Sequence, residues 1–440
     1  MSADAAAPAP GPRVLVGLMS GTSADGIDAV VARIAGDARD TPRGNAPRDV
    51  STRGHIARVP GEARAQDSDE PRIEVLAHEH VDYTQDFRAR LLALPDARPA
   101  ELALLHVALG RRFAAAANAA IAAAGLSARD IAAIGSPGHT AVHLPPRARV
   151  APPDEDAAGA TLALGDGDVI AELTGCTVVS DMRAADRAAG GHGAPLVPWA
   201  NARLLRGSAV RGALNLGGIA NITVVPPRGD PVAFDTGPGN MLLDAAVAQL
   251  TRGAQDFDRD GALGAAGRVD EDWLAQLVRE DDFLAQQPPR STGRERYGPA
   301  FLARHAARVA RGPREDVLAT LTAYTVEGVV LALQRFVRPR PADLVVSGGG
   351  ALNRCLMARL AARLPDVAVA TSEQALGVPV LAMEALAFAL IADATLRGEP
   401  SNVPSVTGAS RPCVLGKISA APAAEAHAAA TSARVATGRS

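Results

Sequence analysis

Twice in this chain an apolar run stops at a glycine-rich turn and starts again. Residues 14–19 read Val-Leu-Val-Gly-Leu-Met, residues 20–26 are turn-forming, and a second apolar run fills residues 27–34. Far downstream the order returns with residues 213–216, the pair Gly217-Gly218, and residues 221–225. Short apolar runs punctuated by Gly, Ser and Asp read as strands joined by tight turns. Two such units predict two related halves that meet near residues 195–212. Residues 102–124 repeat apolar side chains every three or four positions and predict a helix. Residues 131–134 predict a short strand feeding Gly135-Ser136-Pro137-Gly138-His139-Thr140, and residues 343–347 a strand ending in Gly348-Gly349-Gly350 before a helix over 351–364. Strands mixed with helices and glycine turns point to α/β architecture. Residues 36–72 carry Asp, Arg, Pro and Gly without periodicity and read as a polar insertion in the first half. The Ala/Pro-rich residues 1–12 and the Ala/Ser-rich residues 419–440 read as disordered ends.

The chain has a single lysine, Lys417. That excludes a P-loop and a protein-kinase glycine loop, both of which need a lysine at a fixed place beside the phosphates. Schiff-base chemistry would rest on Lys417 alone, near the C-terminus and outside any motif. Any nucleotide must therefore be held by another cradle. With 45 basic against 48 acidic side chains and only 3% aromatic residues, neither a basic nucleic-acid face nor a stacking platform is expected. Cys176, Cys355 and Cys413 are far apart and suit a reducing cytosol. The first residues have no positive start and no apolar core, so no signal peptide is expected. The apolar run over 378–396 is interrupted by Glu384 and Asp393, so no membrane span is expected there either. Together these predict a cytoplasmic protein.

Four constellations carry chemistry-bearing residues. The first is Met19-Ser20-Gly21-Thr22-Ser23-Ala24-Asp25-Gly26-Ile27-Asp28. Its glycines let backbone approach a phosphate, its hydroxyls and amides donate, and Asp25 can hold hydrated magnesium. An ordinary hairpin turn has the same composition. The second is residues 215–221, centred on Gly217-Gly218, followed by residues 235–240, Asp-Thr-Gly-Pro-Gly-Asn. Two such turns on separate strands can clamp a polyphosphate, or simply be tight turns. The third is residues 347–353, where a glycine run opens a helix, a setting for an anion. It fails the dinucleotide fingerprint because Asn353 stands at the last glycine position. The fourth joins Asp181, Arg183 and Asp186 to the glycine loop 190–198. Two carboxylates and an arginine there can supply a general base and an electrostatic partner for a transferring phosphoryl group, or form a salt-bridged surface loop. His78 and His80 flank Glu79 without a third ligand at a recognisable spacing, which disfavours a metal site.

Glycine turns in this order, spread over two halves, resemble the nucleotide clamp of the sugar kinase, heat-shock ATPase and actin superfamily, which dispenses with the P-loop lysine. The individual blocks are sharper. Residues 17–28 closely resemble the opening signature of the anhydro-N-acetylmuramic acid kinase family. Asp181-x-Arg183-x-x-Asp186 with residues 190–198, and the blocks at 215–223, 234–240, 291–295, 347–353, 384–389 and 402–409, are similar to that family in the same order. The resemblance spans residues 14–418 outside the insertion.

The resemblance implies a two-lobed actin-like ATPase built from duplicated ribonuclease H-like domains around a central nucleotide cleft, with residues 13–200 as one lobe and 201–418 as the other. It implies ATP and Mg2+, and 1,6-anhydro-N-acetylmuramic acid as substrate. The internal bridge is hydrolysed and O6 phosphorylated, giving N-acetylmuramate 6-phosphate in peptidoglycan recycling. A homodimer is usual in the family. Asp186 is then the expected base, with Asp181 as runner-up and Arg183 beside them. Gly21, Thr22, Ser23, Ala24, Asp25, Gly26, Ile27 and Asp28 are expected at the β- and γ-phosphates, with Asp25 near the metal. Asn215, Gly217, Gly218, Asn221, Asp235, Gly237, Gly239 and Asn240 complete the clamp, and Gly348, Gly349, Gly350 and Asn353 lie near the nucleoside. His139, Thr140, Gly191, Ala194, Pro195 and Glu384 are expected at the sugar. The chain departs from the family in the 135–140 block, where the family carries His and Gln and this chain reads Ser136-Pro137-Gly138-His139-Thr140, at His192 in place of Gln, and at Arg290 in place of Lys. These departures bear on sugar specificity. A kinase for a plain hexose or a carboxylate, and a silent nucleotide-binding protein, are the competing readings.

Overall fold

A computed structural model describes residues 11–21, 24–35, 72–144 and 159–423. The expected disordered N-terminus up to residue 10, most of the polar insertion and the tail from residue 424 lie outside the described residues. The first half supplies β1 (Arg13–Met19), β2 (Gly26–Ala35), β3 (Arg72–Asp82), β4 (Ile131–Gly135), the hairpin β5 (His139–Leu144) and β6 (Ala160–Leu164), and β7 (Val178–Ser180). The second supplies β8 (Arg211–Leu216), β9 (Ile219–Val225), β10 (Val232–Pro238), β11 (Asp343–Ser347) and β12 (Ala368–Thr371), and β13 (Lys417–Ser419) ends the series.

These strands form two sheets with one plan. The first runs β13-β7-β4-β1-β2-β3 and the second β10-β9-β8-β11-β12. In each, the first strand pairs antiparallel with the second and parallel with the fourth, and the second pairs antiparallel with the third. The fourth then pairs parallel with a fifth. This is the ribonuclease H-like strand order, present twice, so the weak internal repeat in the sequence is a duplicated topology.

The strands at the centre of each sheet are apolar on both faces because helices cover both sides. Leu15, Val16 and Leu18 of β1 are fully buried. Helix Pro99–Ala123, starting three residues before the periodicity predicts, packs on β2 and β3. Helix Met383–Leu396 packs on the opposite face, against β1 and β4. It sits so close that a Cβ at Gly17 would overlap the Ala385 carbonyl oxygen, and one at Gly135 that of Phe388. Glycine at these two strand positions fixes the depth of the helix, and with it the place of Glu384 in the first helical turn. Helix Arg314–Phe336 forms the centre of the second core. Its length and composition would suit a membrane crossing, yet 83% of its most apolar window is buried inside the fold.

The chain is not divided linearly at 200/201. Helix Met383–Leu396 and β13 both return to the first sheet, where β13 pairs antiparallel with β7. Ser419, expected to begin the frayed tail, is opposite Val178 in that pairing. Helix Val197–Leu205 packs against β8, β9 and helix Met383–Leu396.

Candidate active site

The turn after β1 is held by side chains. Ser20 Oγ lies 3.0 Å from the Tyr83 hydroxyl and 3.1 Å from His139 Nδ1, all three buried. Burial pushes the His139 imidazole below its usual range and the Tyr83 hydroxyl well above its own. His139 therefore anchors the turn from β5 through its contact with Ser20. Ala24 N donates to the Gly21 carbonyl at 3.1 Å, and Tyr83 N to the Asp25 carbonyl at 2.9 Å. Thr22 and Ser23 lie outside the described residues. Asp25 is exposed and accepts from Gly26 N at 3.0 Å. Asp28 Oδ1 accepts from His78 Nε2 and His80 Nδ1, each at 3.0 Å. Burial alone would raise the Asp28 carboxyl, but these two histidines outweigh it and hold the group below its usual range. His80 is raised in return, chiefly by its hydrogen bond to Asp28. His78 and His80 thus both engage Asp28, the last residue of the first constellation. Among the described residues no group of three or more His, Cys, Asp or Glu is arranged to hold a metal ion.

The turn after β8 is held by backbone. Gly239 N and Met241 N donate to the Gly218 carbonyl at 3.0 and 3.2 Å, and Asn240 N to the Gly217 carbonyl at 2.7 Å. The blocks 215–221 and 235–240 are therefore one unit. A Cβ at Gly239 would overlap the Gly217 carbonyl oxygen, and one at Gly348 the Asn215 side-chain oxygen. Gly350 also packs on Leu216 and Asn240, so the third glycine run joins the other two. Asn221 stands opposite Asn215 in the β8–β9 register, and Gly237 opposite Ala220 in that of β9–β10. Asn353 is used differently from its expected nucleoside contact: its side chain caps helix Arg354–Arg363 by accepting from Leu356 N at 2.9 Å.

Two carboxylates here have strongly raised proton affinities. Burial pushes Asp235 up to about 6, against the pull of the Thr292 amide and Arg290. Thr292 N donates to Asp235 Oδ2 at 2.9 Å and Arg290 Nε to the Asp235 carbonyl at 2.8 Å, which brings the 291–295 block to the clamp. Asp244, on helix Asn240–Leu250, is pushed up to about 7 by burial and by the charges of Asp256 and Asp25. Asp25 belongs to the first sheet's turn and Asp244 to the second half, so a charge on one half contributes to the raised proton affinity of a carboxylate on the other. Sequence reading missed Asp244; its position four residues after Asn240, one helical turn into the helix that the clamp opens, is the available signal.

The fourth constellation separates its two aspartates. Asp186 is fully buried, and its carboxylate accepts from Asn402 Nδ2 at 2.7 Å, Thr407 Oγ1 at 2.6 Å and Gly193 N at 2.8 Å. It ties the loop holding Gly191, Ala194 and Pro195 to the 402–409 block. His192 N adds a bond to the Thr407 carbonyl at 2.8 Å. Asp181 follows β7 with a left-handed φ of 48° and a side chain 44% exposed, 2.6 Å from Lys417 Nζ. Arg183 donates to the Gly193 carbonyl at 2.9 Å. Glu384 is pushed up by burial and by the charge of Asp28, and pulled down by Arg183. Glu384 thus responds to charges on both the first turn and the Asp181 segment. His143 on β5 is lowered by burial and by Arg183, His192 and Arg187, which places β5, with the half-buried Thr140, beside the same loop.

A family model described as anhydro-N-acetylmuramic acid kinase matches residues 60–421, beginning after the opening turn. Similar proteins carry the same name. That of Caldanaerobacter subterraneus subsp. tengcongensis is 38% identical over 421 residues, covering 92% of this chain and 97% of the relative. That of Gloeobacter violaceus is 39% identical over 414 residues, covering 92% and 98%. That of Xanthomonas oryzae pv. oryzae is 40% identical over 408 residues, covering 92% and 96%. With its duplicated sheets and interlocked glycine turns, the chain belongs to the anhydro-N-acetylmuramic acid kinase family, a family of phosphotransferases acting on a small sugar.

Proposed function

We propose that this chain converts 1,6-anhydro-N-acetylmuramic acid, ATP and water into N-acetylmuramate 6-phosphate and ADP, in the cytoplasm and as a homodimer. Water attacks the anomeric carbon, the bond from that carbon to O6 breaks, and O6 takes the γ-phosphoryl group as ADP leaves. The attacking water gives its proton to a carboxylate. We assign that carboxylate to Asp181, the alternative weighed against Asp186 in the sequence. The observation that carries the assignment is that Asp181 is half exposed at a strand end, whereas three donors already occupy the buried Asp186. A base must reach its proton within hydrogen-bond distance, and a carboxylate sealed by donors cannot. Asp186 instead holds the loop that carries Gly191, Ala194 and Pro195 against the sugar. Arg183 braces the same loop through the Gly193 carbonyl, with Glu384 in electrostatic reach of it.

The interlocked turns at Gly217-Gly218, Gly239-Asn240 and Gly348–Gly350 cradle the phosphates and nucleoside of ATP through backbone amides. Asp25 and Asp244 fit a magnesium ion carried in by the nucleotide. Such an ion keeps most of its waters and needs only one or two carboxylates beside the phosphates, and a cation would offset both causes that raise Asp244, its burial and the charges of Asp256 and Asp25. When bound, magnesium neutralises charge on the transferring phosphoryl group.

Product analysis with 1,6-anhydro-N-acetylmuramic acid, open-chain N-acetylmuramic acid and glucose, each with ATP and magnesium, tests the substrate. The proposal expects phosphosugar from the anhydro sugar at a kcat/KM at least about 100-fold above the other two, a gap a site built for the bridged ring can supply. Equal or better use of glucose would favour a plain hexose kinase.

A further inference from the structure

Resting on the reading of 1,6-anhydro-N-acetylmuramic acid as the substrate, we infer that Arg183, Arg187, His143 and His192 form a subsite for the carboxylate of its lactyl ether, the group that separates muramic acid from glucosamine. Arg183 and His192 stand in one sequence block with Arg187; His143 joins them only in the fold.

Gly193 is the meeting point. Its φ of 72° turns the loop, and a Cβ there would lie 2.8 Å from Arg187 Cγ and 3.2 Å from Arg183 Cβ, so both stems pack against it. Arg183 donates to the Gly193 carbonyl at 2.9 Å. Arg187 reaches across to the β5–β6 hairpin, donating to the carbonyls of Gly159 at 2.9 Å and Thr161 at 3.5 Å. His143 meets Thr161 from the paired strand, with Nδ1 2.8 Å from Thr161 Oγ1. His192 immediately precedes Gly193. Both histidines are exposed and both arginines half-buried, so the imidazoles are open to a ligand and the guanidiniums lie deeper.

The positive charge of this cluster is unmet. Among the described residues neither arginine forms an ion pair, and the Nε of each is buried without a hydrogen-bond partner. Nearby carboxylates do not supply the counter-charge. Three donors occupy Asp186, Lys417 engages Asp181, and burial raises the proton affinity of Glu384. A half-buried charge without a counter-ion is costly, and a bound anion offsets that cost. His143 is lowered first by burial and then by the charges of Arg183, His192 and Arg187, and a carboxylate seated among them offsets both. Guanidinium forks match a planar carboxylate in shape as well as charge. The reaction brings two anions, the lactyl carboxylate and the transferring phosphoryl group. The phosphate cradle belongs to the glycine turns of the second half, whereas this cluster is built on the loop of Gly191, Ala194 and Pro195. The carboxylate is therefore the assignment.

The test compares 1,6-anhydro-N-acetylmuramic acid with 1,6-anhydro-N-acetylglucosamine, which keeps the bridge and lacks the lactyl group. Both are assayed with the parent, with Arg187→Met and with the double variant His143→Ala/His192→Ala, alongside thermal melting. The parent should use the lactyl-bearing sugar at a kcat/KM at least about 100-fold higher, because a site built around a polar group rejects the analogue that lacks it. Each variant should lose about tenfold of that preference, the scale of a lost hydrogen bond to a charged group, through KM for the lactyl-bearing sugar. The histidines are exposed, so the double variant should melt within about 2 °C of the parent and carries the test if Arg187→Met fails to fold. An unchanged preference in a folded variant would overturn the subsite and leave the substrate reading intact. A KM for ATP raised equally with both sugars would give the cluster to the phosphoryl group and overturn the carboxylate assignment. A parent that turns over neither sugar would overturn the substrate reading and the subsite together.

Discussion

At the end of β1 the chain turns on side chains; at the end of β8 it turns on backbone. The first turn is pinned by Ser20, Tyr83 and His139 and carries Asp25 and Asp28. The second is three glycine runs stacked so closely that Gly239 and Gly348 leave no room for a Cβ. The sheets beneath have the same strand order. The duplication therefore repeated a scaffold, and the halves then took different parts: one turn is pinned by side chains, the other by close-packed glycine backbone that carries the raised carboxylates Asp235 and Asp244 beside it. Asp181 and Asp186 show the same contrast at short range, one open to solvent and one sealed.

Exchanging residues between these categories should expose the difference, and the largest effect is expected at Asp181. Asp181→Asn should lower kcat by about 1,000-fold, within the usual range for a general base, with little change in melting temperature. Asp186→Ala should do the reverse in kind, destabilising the fold by about 3 kcal/mol in chemical denaturation because buried donors lose a charged acceptor. Activity loss without destabilisation at Asp186 would erase the distinction.

Gly239→Ala comes next. Its Cβ would meet the Gly217 carbonyl oxygen, and overpacking of this kind costs about 1–3 kcal/mol. The expected readout is a KM for ATP raised about tenfold, with KM for the sugar nearly unchanged. Gly17→Ala should destabilise the protein by a similar amount through the displaced helix Met383–Leu396, without that selectivity for nucleotide.

The smallest effect is expected at Asp244. Burial and two neighbouring aspartates raise it to about 7, so ionisation opposes folding. The penalty is absent below about pH 4, grows as pH rises toward 7 and is complete above it. Asp244→Asn removes it and should make the nucleotide-free protein more stable than the parent at pH 8, by about 1 kcal/mol, with the difference vanishing near pH 4. Isothermal titration should show the same variant binding magnesium–ATP more weakly. A variant no more stable than the parent at pH 8 would mean that burial and the neighbouring aspartates do not disfavour the Asp244 carboxylate.

The repeated sheet was legible because glycine turns interrupt apolar runs at both places, and turn chemistry is local. The return of helix Met383–Leu396 and β13 to the first sheet was not, since nothing near residues 383–419 encodes a partner so far back in the chain. The close approach of that helix is written only in Gly17 and Gly135, which read as ordinary strand glycines. Asp181 and Asp186 look alike in a motif; what separates them is Asn402, Thr407 and the Gly193 amide, brought together by tertiary structure. Asn353 resembled a ligand contact and is a helix cap, a role Asn fills equally well. Lys417 had no setting in sequence because its partner lies on the neighbouring strand.

The most direct test of the whole account is turnover of 1,6-anhydro-N-acetylmuramic acid with ATP and magnesium in oxygen-18 water, followed by mass analysis of the sugar. Coupled hydrolysis and phosphorylation predict a phosphosugar carrying one heavy oxygen at the anomeric carbon and none in the phosphate. An unlabelled phosphosugar, or ATP consumed without any sugar product, would contradict it.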